Sequence, residues 1–267
     1  TRVVEDAADR ILEHVASVAA SDDCQLGAVG PPVRGQHPLG ELTRHASCHT
    51  TMRPFVIGAR GSRLSVCQTT LVHAQLSARV PDRVFTLRPI TTKADQHPEQ
   101  PLREIGGEGV FVKELETALL ERQIDLAVHS MKDLLLDLPV SLSLAAVLER
   151  ADPRDALVTR TGESVDQLRP GARVGTSSPR RMSQLLYHRR DLTVQEIRGN
   201  VDTRLRKLDA GHYDAILLAA CGLMRLGLKE RITELLPVDL LLPEPGQGAL
   251  AIETRRDDAE LAAVARP

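Results

Sequence analysis

From Phe55 onward the chain alternates short apolar segments with stretches of helical periodicity, and this alternation restricts the fold more than any other feature. The apolar segments are Phe55 to Ile57, Val84 to Ile90, Ile124 to Met131, Val140 to Leu148, Ala156 to Thr159, Ala172 to Gly175, Thr193 to Ile197, Ala215 to Ala219 and Ala249 to Glu253. Helical spacing occupies Leu64 to Ala78, Phe111 to Arg122, Arg180 to His188, Val201 to Ala210 and Asp257 to Ala265. Strands that take turns with helices of this length predict an α/β protein with mainly parallel or mixed sheets. A chain of 267 residues is long enough for two such domains. Ahead of this region, Val4, Ala7, Ala8, Ile11, Val15 and Val18 predict one amphipathic helix. Residues 21 to 53 then lose all periodicity and, rich in Gly, Pro, His and Ser, read as a linker or a disordered arm.

Composition removes several classes of function. The formal net charge is −2, against a general nucleic-acid binder held by bulk positive charge. Three Phe, two Tyr and no Trp leave little to stack on exposed bases. No apolar run approaches the ~18 residues that span a bilayer. Glu5, Asp6, Asp9 and Glu13 deny the first twenty residues the character of a secretory signal. Cys24, Cys48, Cys67 and Cys221 are widely spaced and read as reduced thiols, so the expectation is a cytoplasmic protein. His45, Cys48 and His49 match no metal-site spacing, and no metal is expected. Cys67 and Cys221 read as packing residues.

Basic residues gather where strands end and helices begin. Arg60 follows the first strand, Lys132 and Asp133 the third, Arg180 and Arg181 open a helix, Arg198 ends a strand, and Arg204 lies one turn into the next helix. Ligands of open α/β sheets bind at the carboxyl ends of strands, where helix N-termini also favour anions. The placement predicts a cleft for a ligand with several carboxylates or phosphates. Singly, each of these residues is more readily a solvated surface partner. Asp133 beside Lys132 could serve as an acid or base, or could stabilise a cation. Strand alternation turns His129 toward the core, away from chemistry. Gly106-Gly107-Glu108-Gly109 resembles an anion-cradling loop but matches neither a dinucleotide fingerprint nor a P-loop.

Several strings together resemble one family. They are Ile57-Gly-Ala-Arg-Gly-Ser-Arg-Leu64, Gly106-Gly-Glu-Gly-Val-Phe-Val-Lys-Glu-Leu115, Ile124-Asp-Leu-Ala-Val-His-Ser-Met-Lys-Asp133, Asp152-Pro-Arg-Asp155, Val174-Gly-Thr-Ser-Ser-Pro-Arg-Arg181, Arg198-Gly-Asn-Val-Asp-Thr-Arg-Leu-Arg-Lys-Leu208 and Gly246-Gln-Gly-Ala-Leu-Ala-Ile-Glu253. In order and spacing, over about residues 54 to 267, they are similar to porphobilinogen deaminases, also called hydroxymethylbilane synthases. The resemblance implies two domains like those of periplasmic binding proteins, here residues 54–150 plus 246–267 and residues 151–245, with hinge crossings at Asp152-Pro153 and Pro243-Glu244-Pro245.

It also implies a monomeric transferase of tetrapyrrole (haem or chlorophyll) biosynthesis. Such an enzyme joins four porphobilinogen molecules head to tail with loss of ammonia, on a dipyrromethane cofactor tethered to a cysteine of a third domain. By the family pattern Asp133 is the carboxylate that stabilises the cationic azafulvene-like species and assists protonation of the leaving amine. Arg60, Ser62, Lys132, Arg180, Arg181, Arg198, Arg204 and Arg225 would bind carboxylates of cofactor and substrate. Ser130, Thr176, Ser177 and Ser178 would add hydrogen bonds, and Gln247 lies in the segment returning between domains. The sequence departs from the pattern at Lys132-Asp133-Leu134-Leu135, where the family commonly has Lys-Asp-Val-Pro. The cofactor-anchoring third domain would begin after Pro267 and is expected to be absent; Cys24-Gln25-Leu26-Gly27-Ala28 only faintly resembles its anchoring loop. A non-catalytic protein of the same architecture, keeping the anion cleft alone, is the alternative.

Overall fold

A computed structural model describes residues 53–96 and 109–266. The helix expected over residues 1–20, the linker, the Cys24 and His45/Cys48/His49 readings and the Gly106-Gly107-Glu108 run all lie outside the described residues. Two five-stranded sheets organise the rest. The first has the strand order β2-β1-β3-β10-β4, from β1 (Phe55–Arg60), β2 (Phe85–Ile90), β3 (Leu126–Ser130), β4 (Leu142–Val147) and β10 (Leu250–Arg255). The second has the order β7-β6-β8-β5-β9, from β5 (Asp155–Thr159), β6 (Arg173–Gly175), β7 (Thr193–Gln195), β8 (Ala215–Ala219) and β9 (Glu234–Leu235).

The helices are α1 (Arg63–Arg79), the single turn α2 (Lys93–Gln96), α3 (Lys113–Leu120), α4 (Pro179–His188), α5 (Val201–Asp209), α6 (Ala220–Arg225) and α7 (Ala259–Ala265). Periodicity located the longer elements within a few residues. It missed α2, α6 and β9, which are too short to show a period. Among the described residues no helix is long and apolar enough to cross a membrane.

Both sheets are mixed, and in the same way. β1 runs parallel to β2 and β3, and β6 runs parallel to β7 and β8. The fourth strand of each, β10 or β5, is antiparallel to both its neighbours. Of the two sheet types expected, mainly parallel or mixed, the structure has the mixed one, with half the pairings antiparallel, and connectivity gives the reason. β5 and β10 are the strands the chain enters after crossing between the sheets. They start beside the carboxyl ends of β8 and β3, Asp155 opposite Ala219 and Leu250 opposite Ser130, and so must run the other way. Asp155 and the residues just before Leu250 are thereby delivered to the same end as the strand-end cations.

Each sheet buries apolar side chains on its own faces. Phe55, Ile57, Val72, Phe85, Leu126 and Ile252 pack one face of the first sheet beneath α1 and α7, while Leu115, Leu119, Ile124 and Leu142 pack the other beneath α3. Leu157, Val174, Leu185 and Leu217 do the same on one face of the second sheet, with Val158, Leu205, Ile216 and Leu223 on the opposite face. The return crossing is tight at Gly248, whose φ is +95°. A Cβ there would lie 2.4 Å from the Ala151 carbonyl oxygen of the outgoing crossing. Gly248→Ala is thus expected to cost at least ~1–3 kcal/mol, read as a lower urea midpoint with an unchanged slope.

Candidate functional site

A cleft of about 440 Å³ lies at the carboxyl ends of the parallel strands and is lined from both sheets. The first sheet contributes Arg60, Ser62, Lys132 and Asp133, and the second contributes Arg181, Arg198 and Arg204. Seven of the residues expected from the sequence are therefore brought together on one surface. Each is positioned by ordinary local structure. Arg60 closes β1, and Ser62 caps α1 by accepting the Ser65 amide at 3.3 Å. Lys132 and Asp133 form a single 3₁₀ turn directly after β3, closed by the Leu134 amide on the Met131 carbonyl despite the Leu134-Leu135 departure. Arg204 lies in the first turn of α5, where its Nε donates to the Gly199 carbonyl at 2.8 Å.

The other expected residues make contacts within the protein. Thr176, Ser177 and Ser178 do not line it. Ser178 caps α4, the Thr176 hydroxyl accepts the Ser178 amide, and the Ser177 hydroxyl donates to the Ile197 carbonyl. Thr176 and Ser178 only accept in these contacts and keep a hydroxyl proton to donate, whereas Ser177 gives its own to the Ile197 carbonyl. Ser130 pairs with the Gln68 side chain beside a smaller cavity of about 60 Å³ that also touches Asp133 and Arg60. Arg225 donates to the Gly248 carbonyl at 2.7 Å and braces the crossing.

Sequence reasoning missed the residue that ties these parts together. Asp155, the fully buried first residue of β5, accepts Arg181 Nη2 at 2.7 Å and Arg180 Nη2 at 2.8 Å. It also accepts Gln247 Nε2 at 2.9 Å, and that nitrogen donates to the Pro153 carbonyl at 2.7 Å as well. Both partners of Nε2 are acceptors, which fixes the orientation of the Gln247 amide. Its oxygen accordingly receives Lys132 Nζ at 3.1 Å. Arg180 is held further by Glu244 at 2.9 Å and does not line the cleft. The signal available in the sequence was Asp155 within Asp152-Pro-Arg-Asp155, a buried charge at the start of an apolar strand.

The electrostatics favour an incoming anion. Burial, aided by repulsion from Arg181 and Arg198, pushes Arg204 down to about 10. It stays charged at neutral pH, and an anion in the cleft would relieve that cost. Burial also pulls Lys132 below the ordinary lysine range; Asp133 opposes this only in part, and Arg181 adds to it. Among the described residues no hydrogen bond or ion pair engages the Asp133 carboxylate, so its oxygens are available to a donor in the cleft. Because the protonated amine attracts carboxylates, affinity should fall as pH rises through the lowered Lys132 pKa, before the usual ~10.4. Calorimetric titration of a polycarboxylate such as citrate across this range should show that limb in the wild type and lose it in Lys132→Met.

His129 is buried as alternation predicted, and its Nε2 meets Glu253 Oε2 at 2.9 Å. Cys221 is buried, and Cys67 is half-buried with Sγ 2.9 Å from the Arg225 carbonyl oxygen.

Three solved structures are similar to this chain. A periplasmic substrate-binding protein of an ABC transporter from Coxiella burnetii shares 13% identity over 79% of this chain and 90% of that one, with a TM-score of 0.49. A putative methionine-binding lipoprotein from Bacillus subtilis shares 13% over 79% and 90%, with a TM-score of 0.48. The periplasmic VFT2 domain of BvgS from Bordetella pertussis shares 17% over 79% and 84%, with a TM-score of 0.46. The model of the family described as "Porphobilinogen deaminase, dipyromethane cofactor binding domain" matches residues 55–263, a span that holds every residue of the cleft. With that match over most of its length, the chain belongs to the porphobilinogen deaminase family.

Proposed function

We propose that this chain performs the family's condensation, adding porphobilinogen units head to tail with release of ammonia. The observation that carries the reading is the Asp133 carboxylate, without a bonded partner among the described residues, in a cleft whose walls present Lys132, Arg181, Arg198 and Arg204. Pyrroles bearing acetate and propionate arms offer the matching pattern, N–H donors at the centre and carboxylates at the rim. Asp133 would accept pyrrole N–H groups, supply the proton taken by the departing amine, and balance the positive charge left on the methylene carbon. Arg198 and Arg204 would bind carboxylate arms on one wall, and Arg60 and Lys132 on the other.

The donor set also fits the dipyrromethane that the family implies, since the same arginines and Asp133 complement its carboxylates and N–H groups. When bound, that group supplies the primer to which pyrrole units are added. Every residue proposed here belongs to the 55–263 match.

The test is to incubate the purified chain with porphobilinogen and follow substrate loss, ammonia release and linear tetrapyrrole. The intact mass of the denatured chain after exposure to hydroxymethylbilane would report a covalent dipyrrole. Turnover supports the reading. Binding without turnover supports a cleft that retains recognition alone, and failure to bind porphobilinogen overturns the reading.

A further inference from the structure

Arg60 reaches the cleft with its guanidinium already held on two sides. Its Nη2 and Nε donate to Asp95 Oδ1 and Oδ2 at 2.6 and 3.3 Å, so one edge of the planar group is clamped by both carboxylate oxygens. One face lies against Phe111, with Cζ 4.3 Å from the ring centroid. The opposite edge, Nη1, makes no hydrogen bond among the described residues, and Arg60, Asp95 and Phe111 all line the cleft. A guanidinium has five N–H donors in a rigid fork; Asp95 uses two, which leaves an edge shaped for one carboxylate.

Asp95 is itself fixed. The Thr92 hydroxyl donates to its Oδ2 at 2.7 Å and the Thr92 amide at 3.3 Å, and Thr92 is fully buried. Burial alone would push the Asp95 carboxyl up, but Arg60 and Thr92 together hold it below the usual carboxylate range, so the clamp is charged at neutral pH. The pair carries no net charge. It therefore contributes directed hydrogen bonds rather than bulk attraction, unlike Arg204 on the facing wall.

We propose that Asp95 is a positioning residue, anchored by Thr92, that presents the free edge of Arg60 to a single ligand carboxylate. The inference rests on the carboxylate-binding role proposed for the cleft. Its rival is that Asp95 competes with the ligand for Arg60, and the two make opposite predictions. If Asp95 positions Arg60, Asp95→Asn should weaken binding by about tenfold, because an amide N–H would face a guanidinium N–H. Thr92→Val, which leaves both charges in place, should weaken it in the same direction by a smaller factor. In an Arg60→Ala background neither substitution should change affinity further, within about twofold.

Calorimetry with porphobilinogen and, separately, with citrate as a polycarboxylate without a pyrrole would read all six chains, with thermal melts confirming the fold. Tighter binding by Asp95→Asn, or an equal loss in the Arg60→Ala background, overturns the proposal. A wild type that binds citrate but not porphobilinogen overturns the pyrrole reading and judges the clamp on citrate. A wild type that binds neither overturns both.

Discussion

Asp155→Asn is expected to remove about 3–5 kcal/mol of stability, the largest loss from any single substitution considered for this chain. The carboxylate is fully buried and faces two guanidiniums, of which Arg181 is itself buried. Replacing it with an amide keeps the volume but leaves Arg181 with no counter-charge, the costly way to break a buried pair. Arg180 keeps Glu244 and suffers less. The damage reaches Gln247, whose Nε2 would exchange a charged acceptor for a neutral one and keep its orientation toward Lys132 mainly through the Pro153 carbonyl.

The pH dependence gives an independent check. Burial opposes ionisation of Asp155, yet Arg181, Gln247 and Arg180 together hold its carboxyl below the ordinary range. A lowered folded-state pKa stabilises above the unfolded value of ~3.9, and the contribution is lost as pH falls through the folded value. Urea denaturation at neutral pH should therefore separate the variant from the wild type. The gap should close toward acid, where the wild type loses the same contribution. An equal stability at neutral pH would show that the two arginines find other partners.

Asp133→Asn should leave the fold intact and reduce condensation by about 10²–10³-fold, the usual cost of deleting one preorganised electrostatic contact to a developing charge. The side chain sits in a solvent-reached 3₁₀ turn and accepts no hydrogen bond from the described residues, so the fold does not depend on it. An asparagine there could still accept a pyrrole N–H, but it could neither give up a proton nor balance a cation. Binding of porphobilinogen should change much less than the rate of ammonia release, because in the proposed reading carboxylate recognition rests with the basic residues. A variant with an undiminished rate would remove Asp133 from the chemistry. A variant that lost binding and rate together would make it a recognition residue.

The candidate site was legible in part, and the boundary has a physical cause. Arg60, Lys132, Asp133, Arg181, Arg198 and Arg204 could be found because a strand end or helix start is written locally, in periodicity and turn residues, and parallel strands deliver such ends to one side. Residue type alone does not say which partners Ser177 and Ser178 reach within the fold. Helix capping had already claimed Ser178, and the Ile197 carbonyl the Ser177 hydroxyl. Asp95 stood in no motif, and its value lies in meeting Arg60 from a different segment of chain.

By itself the sequence determined the α/β alternation, the longer elements, the core-facing His129 and a family whose model matches residues 55–263. All of these follow from the order of residue types along the chain. The tertiary structure decided the antiparallel course of β5 and β10, the meeting of Asp155 with Arg181 and Gln247, and the capture of Arg60 by Asp95. These depend on which strand ends a crossing chain is placed beside, and so arise only from contacts between residues distant in sequence.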